Sequence, residues 1–436
     1  MKLYSTNNRQ QYTTFKDAVF NSMPLDGGLY MPKTIAPLPD NFFKQLSILS
    51  FQELAFEVAH NLLNDEIPTQ DLKKIINETL SFDAPALALG DNNFVLELFH
   101  GPSLAFKDFG ARFMSRVMGY FLNDDEALLD VLVATSGDTG GAVALGFLGV
   151  PNTRVTILYP KGKVSPIQEL QLTTNGQNIR AIEIDGTFDD CQALVKKAFA
   201  DPDLNRKMRL TSANSINIAR LIPQSFYYFH AYAQLKRQGY EEIVFSVPSG
   251  NFGNIGAGLL ANKMGLPVKQ FVAATNVNDT VPRFLSSGVY QPKASVQTYA
   301  NAMDVGAPSN WVRIMELFGQ NLADLKQQIS AFSFNDEQTL AAIKTLYKQY
   351  KYIACPHTAI AWLGAEAYRQ ATKDEQSARV FLSTAHACKF PDVFPKEIAD
   401  KMIIPESVKQ LEGKSKKVDS LDTEFENFKT WLLKKI

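Results

Sequence analysis

Between residues 130 and 385 the chain alternates short apolar runs with longer amphipathic ones, and no other feature constrains its fold as much. DVLVA (130–134), TRVTILY (153–159), IRAIEI (179–184), EIVFSV (242–247), KQFVAATN (269–276) and RVFLSTA (379–385) read as strands. AVALGFL (142–148), FDDCQALVKKAFA (188–200) and LLANKMG (259–265) read as intervening helices. Near-continuous apolar strands separated by helices imply βαβ units and mainly parallel sheets covered on both faces, the α/β class. At 436 residues the chain exceeds one ordinary hydrophobic core. The expected division is an N-terminal region (1–95), a smaller α/β domain (96–220) and a larger one (221–436). The first region carries a Gly-Gly turn at 26–28 and an amphipathic run at 51–63. Leu421, Phe425, Phe428, Trp431 and Leu432 share one face of a helix expected over 421–436, docked on the larger domain.

Composition narrows the partners. The 44 Lys and Arg nearly cancel the 45 Asp and Glu, so nucleic acid is not an expected partner and any anion site has to be local. Cys191, Cys355 and Cys388 are scattered and odd in number, which fits a reducing compartment better than a disulfide framework. The first residues lack the apolar run of a signal peptide, and no stretch of about 18 apolar residues is present. A cytoplasmic protein with no membrane association is expected, as a monomer or homodimer.

The strongest helical periodicity follows Pro102. Phe106, Phe109, Gly110, Phe113, Met114, Val117, Met118 and Phe121 fall on one face, with Ser103 as the expected N-cap. Lys107 therefore lies in the first turn, at the partially positive end, where a cation is disfavoured by about 0.3–1 kcal/mol. Flanking Phe106 and Phe109 add desolvation. Both effects favour the neutral amine, the nucleophilic form. A lysine whose head reaches water along an exposed flank satisfies the same spacing.

Two glycine-rich loops each follow a strand and open a helix: Thr135-Ser136-Gly137-Asp138-Thr139-Gly140-Gly141 and Ser249-Gly250-Asn251-Phe252-Gly253-Asn254. Backbone N–H groups at such turns bind anions without net charge, at the strand ends where open α/β sheets bind ligands. Neither loop has the spacing of a dinucleotide or triphosphate loop. Plain turn geometry is the alternative reading of each. In Asn214-Ser215-Ile216-Asn217-Ile218-Ala219-Arg220, Asn214 is expected to cap a helix with Ser215 in its first turn. Arg220 then suits either a phosphate monoester or a surface ion pair. Pro223 should bend or interrupt that helix. His100, His357 and His386 show no metal-ligand spacing and read as structural, with no metal site expected.

These segments together carry a family signature. DGGLYMP, ELFHGPSLAFKDFGARF, ATSGDTGGA, SANSINIARL, VPSGNFGNI, AATNVNDTVPRF and LSTAHACKF strongly resemble threonine synthases, in matching order over residues 1–395. The resemblance implies a tryptophan-synthase-β-like, fold type II pyridoxal-phosphate enzyme acting on O-phospho-L-homoserine. It implies Lys107 as the Schiff-base lysine, Gly250, Asn251, Phe252, Gly253 and Asn254 around the cofactor phosphate, and Thr384 at the pyridine nitrogen. It places the substrate carboxylate at Ser136, Gly137, Asp138 and Thr139, and the substrate phosphate at Asn214, Ser215 and Arg220, with Thr139 assisting. Many proteins of the wider fold carry asparagine in place of Asp138. A carboxylate there would repel that of the substrate, so Asp138 is expected to point away or be protonated. A phospho-lyase giving 2-oxobutyrate from the same substrate, and a non-catalytic binding protein on the same fold, are the rival readings.

Overall fold

A computed structural model describes residues 1–123 and 127–434. Three sheets organise it. A small antiparallel sheet joins Asn8–Thr14, Lys2–Ser5 and Tyr30–Pro32. A six-stranded sheet runs in the order Ile329–Ser333, Gln270–Thr275, Ile243–Pro248, Ala378–Ser383, Asn93–Glu97, Ala86–Gly90. Its pairs are parallel except the last, which is antiparallel. An all-parallel sheet of five runs Val418–Leu421, Ile179–Ile184, Thr153–Pro160, Leu129–Ala134, Arg209–Ser212. Every residue of Leu129–Ala134, Thr153–Pro160, Ile243–Pro248, Gln270–Thr275 and Ala378–Ser383 is buried. Helices therefore cover both faces, as the apolar runs require.

Sheet membership departs from the expected chain divisions in two places. Asn93–Glu97 is an interior strand of the six-stranded sheet, so a boundary at 95 falls inside it. At the other end, 418–421 is a strand, paired in parallel with Ile179–Ile184, and the helix begins only at Phe425. Phe428 and Leu432 of that helix pack with Leu194, Val195 and Ile182, on the smaller domain and not the larger. The apolar face was visible in the sequence, but the surface that receives it was not.

The Lys107–Leu122 helix buries Phe109, Gly110, Phe113, Met114, Val117 and Met118 as its periodicity predicts. Ser103 does not cap it. The residue before the helix is Phe106, and Leu104 turns the chain with φ 58°. Among the described residues no helix is long and apolar enough to cross a membrane.

Candidate active site

Loops from the carboxyl ends of strands in both large sheets converge around Lys107. An antiparallel bridge pairs Ala105 with Ala385, and the Phe106 N–H donates to the Thr384 carbonyl (2.9 Å). The segment before the helix is thus stitched to the end of Ala378–Ser383, which sets Lys107 beside Thr384. Lys107 occupies the first helical position, and its Nζ lies 5.7 Å from the Phe106 ring centre. Among the described residues its amine makes no hydrogen bond or ion pair. Burial pulls its pKa down to about 8; Arg220 and Lys389 push the same way and Asp138 opposes them. At that value about a tenth of the amine is neutral at pH 7, far more than for an exposed lysine.

The 135–141 loop is held by side chains. Thr135 Oγ1 accepts from the Gly137 and Gly140 N–H groups, both at 2.9 Å. Gly137 has φ 134°, and a Cβ there would sit 2.4 Å from the Gln168 side chain, so only glycine fits. The helix-type bonds begin at the Gly141 N–H, which leaves those of Ser136, Asp138 and Thr139 without an acceptor among the described residues. Asp138 turns its carboxylate to Lys389 Nζ (2.7 Å) and Gln168 Nε2 (2.9 Å). Burial alone would raise its pKa, but Lys389 and Lys107 outweigh this and hold it far below the usual carboxylate range. Asp138 is therefore ionised and paired, which corrects the protonated alternative.

The 249–254 loop is braced differently. Gly250 abuts a neighbouring backbone: a Cβ would lie 2.6 Å from Met303 Cα. Asn251 Nδ2 donates to Ser215 Oγ (2.5 Å) and its Oδ1 accepts from the Ser309 N–H (2.6 Å). Phe252 takes a left-handed conformation at the helix start. Asn254 Oδ1 faces inward, accepting from Tyr227 and Tyr228 hydroxyls at 2.7 Å each. The Asn251 amide and Asn254 Oδ1 are committed to the protein, whereas Asn254 Nδ2 is buried with no hydrogen-bond partner among the described residues. The first intrahelical bond is made by the Gly256 N–H, so those of Phe252, Gly253, Asn254 and Ile255 have no acceptor among the described residues. Such a cluster of free donors at a helix start suits a phosphate.

In the third segment Asn217, not Asn214, caps the short helix Ile218–Leu221. Asn214 instead clamps the end of Leu129–Ala134, accepting from the Ala134 N–H and donating to its carbonyl. Ser215 Oγ accepts from Asn251 and Asn310 (3.3 Å), so its own proton stays available to donate. Arg220 is 2 % exposed, donates to the Ala213 carbonyl and forms no ion pair among the described residues. Burial lowers its pKa to about 10, still cationic. Pro223 sits in a 3₁₀ turn between this helix and Phe226–Arg237. Beneath Ser215, buried Arg313 donates to the carbonyls of Tyr30, Ser215 and Ile216.

Sequence reasoning missed Lys389, Gln168, Thr135 and Arg313 as supports. Only Gln168 left a local trace, as the last residue of the Ser165-Pro166-Ile167-Gln168 capping box. The site combines an isolated amine, two sets of unpaired N–H groups and a buried guanidinium. It fits a phosphorylated aldehyde cofactor and an anionic amino-acid ligand.

Comparison with known proteins agrees. Residues 73–384 match the family described as pyridoxal-phosphate dependent enzyme, residues 2–80 the threonine synthase N terminus, and residues 358–431 the threonine synthase C-terminal family. Threonine synthase of Haemophilus influenzae is 42% identical over 437 residues, covering 100% of both chains. The crystal structure of threonine synthase from Escherichia coli superposes with a TM-score of 0.92 at 39% identity, again over 100% of both chains. The structure of PLP-bound threonine synthase from Brucella melitensis gives a TM-score of 0.90 at 34% identity, covering 99% of this chain and 98% of that one. With full-length matches in sequence, fold and cofactor class, the chain belongs to the threonine synthase family of pyridoxal-phosphate-dependent enzymes.

Proposed function

We propose that this chain converts O-phospho-L-homoserine and water to L-threonine and phosphate, with Lys107 as the proton-transferring and cofactor-bearing lysine. The observation that carries this reading is the meeting of one amine with two separate anion-accepting loops and a buried, unpaired guanidinium. A substrate carrying both a carboxylate and a phosphate, beside a cofactor with its own phosphate, needs three anion positions. The Phe252–Ile255 N–H groups would hold the cofactor phosphate, and Thr384 would meet the pyridine nitrogen with a neutral hydroxyl. The Ser136, Asp138 and Thr139 N–H groups would hold the substrate carboxylate. Ser215 and Arg220 would hold the substrate phosphate. Asn214 would act there by keeping the turn against Ala134, since its side chain is engaged.

Pyridoxal phosphate, when bound, supplies the electron sink that makes the substrate carbons acidic. The protein supplies binding and proton movement. Its neutral Lys107 amine takes the α-proton and delivers it onward, while Arg220 and Ser215 stabilise the departing phosphate. The pair of buried loops limits water to what the replacement step consumes. A cytoplasmic enzyme, monomeric or homodimeric, is the setting proposed with it.

Incubating the purified protein with O-phospho-L-homoserine and identifying the carbon product tests it. L-Threonine is expected. Stoichiometric 2-oxobutyrate and ammonia would assign the phospho-lyase activity instead, and no turnover by cofactor-loaded protein would leave only binding. Lys107→Ala should abolish threonine formation while circular dichroism stays that of the parent.

A further inference from the structure

Lys389 is fully buried, and its one carboxylate partner is Asp138, itself 4 % exposed. The two belong to different sheets. Asp138 opens the helix after Leu129–Ala134, and Lys389 ends the turn that follows Ala378–Ser383. Lys389 and Gln168 both reach the same oxygen, Oδ1, and among the described residues no donor is bonded to Oδ2. The same loop carries the Ser136, Asp138 and Thr139 N–H groups, which lack acceptors among the described residues.

Two carboxylates about 5 Å apart at an effective dielectric near 20 repel by roughly 3 kcal/mol, a factor of a few hundred in binding. An ionised Asp138 without a counter-charge would thus defeat the loop as a carboxylate site. Lys107 cannot supply that charge dependably. Burial draws its pKa toward 8, and its amine is the group reserved for the cofactor. The Lys389 ammonium has no ion-pair partner other than Asp138 among the described residues.

We infer that Lys389 is a positioning residue that sets specificity: by cancelling the charge of Asp138 it makes the 136–139 loop receptive to the carboxylate of an amino-acid ligand. The inference rests on the reading of that loop as the substrate carboxylate site. It explains how a buried acid is tolerated where an incoming ligand brings a second one. It also predicts that Lys389 is dispensable only when Asp138 goes with it.

The test compares binding of L-threonine with that of 1-aminopropan-2-ol, the same amine without its carboxylate, to cofactor-loaded enzyme by perturbation of the cofactor absorbance. The parent should prefer L-threonine. Lys389→Met should cut that preference on the order of a hundredfold, with little change for the amine alcohol. Adding Asp138→Asn to Lys389→Met should restore the preference to within about tenfold of the parent. Asp138→Asn alone, leaving Lys389 uncompensated, should raise it. A merely structural pair would instead weaken both ligands together and show no rescue. Unchanged preference in Lys389→Met, or a folded, cofactor-loaded double variant no better than the single one, overturns the inference. Should Lys389→Met fail to fold, the other two variants still decide: an unchanged preference in Asp138→Asn overturns it. Absence of any preference in the parent would instead defeat the carboxylate reading on which it stands.

Discussion

The two glycine-rich loops look alike in sequence but are built on different principles. The 249–254 loop is braced by uncharged groups: Asn251 on Ser215 and Ser309, Asn254 on two tyrosines, and Gly250 against the Met303 backbone. The 135–141 loop is braced by a threonine hydroxyl and by a buried ion pair that reaches it from the other sheet. A neutral frame with free N–H groups leaves a strong anion preference, which suits a dianion that stays bound. A frame whose own acid is matched by one base, and no more, suits a carboxylate that must arrive and leave. The contrast shows that the number of glycines says where backbone donors are exposed, while the brace behind them sets how tightly an anion is kept.

Breaking the first loop should have the largest effect. Gly250→Ala drives a Cβ into Met303 Cα at 2.6 Å and the Ala302 carbonyl at 2.8 Å, backbone atoms that cannot rotate away. Cofactor affinity should fall at least about a hundredfold, read by titrating apoenzyme with pyridoxal phosphate. Retention of full affinity would remove this loop from the cofactor site.

Arg220→Ala separates the substrate phosphate from the cofactor phosphate. Cofactor content should stay intact while kcat/KM for O-phospho-L-homoserine drops about a hundredfold, with Arg220→Lys recovering only part. Near-parental kinetics with a lowered Tm would mean that this buried guanidinium serves packing alone.

The brace of the first loop should also respond to acid. His357 Nε2 accepts from the Ala302 N–H (3.3 Å), beside Gly250, and so requires the neutral ring. Burial lowers its pKa from 6.5 to about 4. The folded state then binds fewer protons than the unfolded one between these values, and stability is lost as pH falls through that window. The share due to His357 is up to about 2 kcal/mol between pH 8 and pH 5. Urea midpoints of the parent and of His357→Gln across that range should diverge, the variant falling less; parallel curves would contradict the assignment.

A milder change sharpens the second loop. Thr135→Val keeps the shape but removes the acceptor for the Gly137 and Gly140 N–H groups. KM for the substrate should rise about tenfold, as roughly 1–2 kcal/mol of loop ordering is lost, while cofactor content stays normal. An equal loss of cofactor would show that the two loops are not independently braced.

Much of this contrast was written in local spacing. The alternation of apolar runs yielded the strands, the 3.6-residue period gave the buried face of Lys107–Leu122, and loops after strands marked the anion sites. What escaped was every contact joined across the chain. Lys389 stands 251 residues from Asp138, and Asn254 turns to tyrosines 26 and 27 residues before it. The caps failed for a related reason. Ser103 and Asn214 are good cap types, but the isolated bridge of Ala105 to Ala385 and the clamp of Asn214 on Ala134 claim those segments first. Tertiary pairing outweighed a preference worth about 1 kcal/mol.

Residues 418–434 return to the five-stranded sheet after the chain has built the whole six-stranded one. During synthesis the Ile179–Ile184 strand therefore waits with one edge unpaired while more than two hundred later residues emerge. An open parallel edge is a place for another chain to add, so crowded nascent copies are at risk there. The late strand is thus a closing clasp on the ribosome's timetable, and a chain cut short before residue 418 would have its six-stranded sheet complete but one edge of its five-stranded sheet still open.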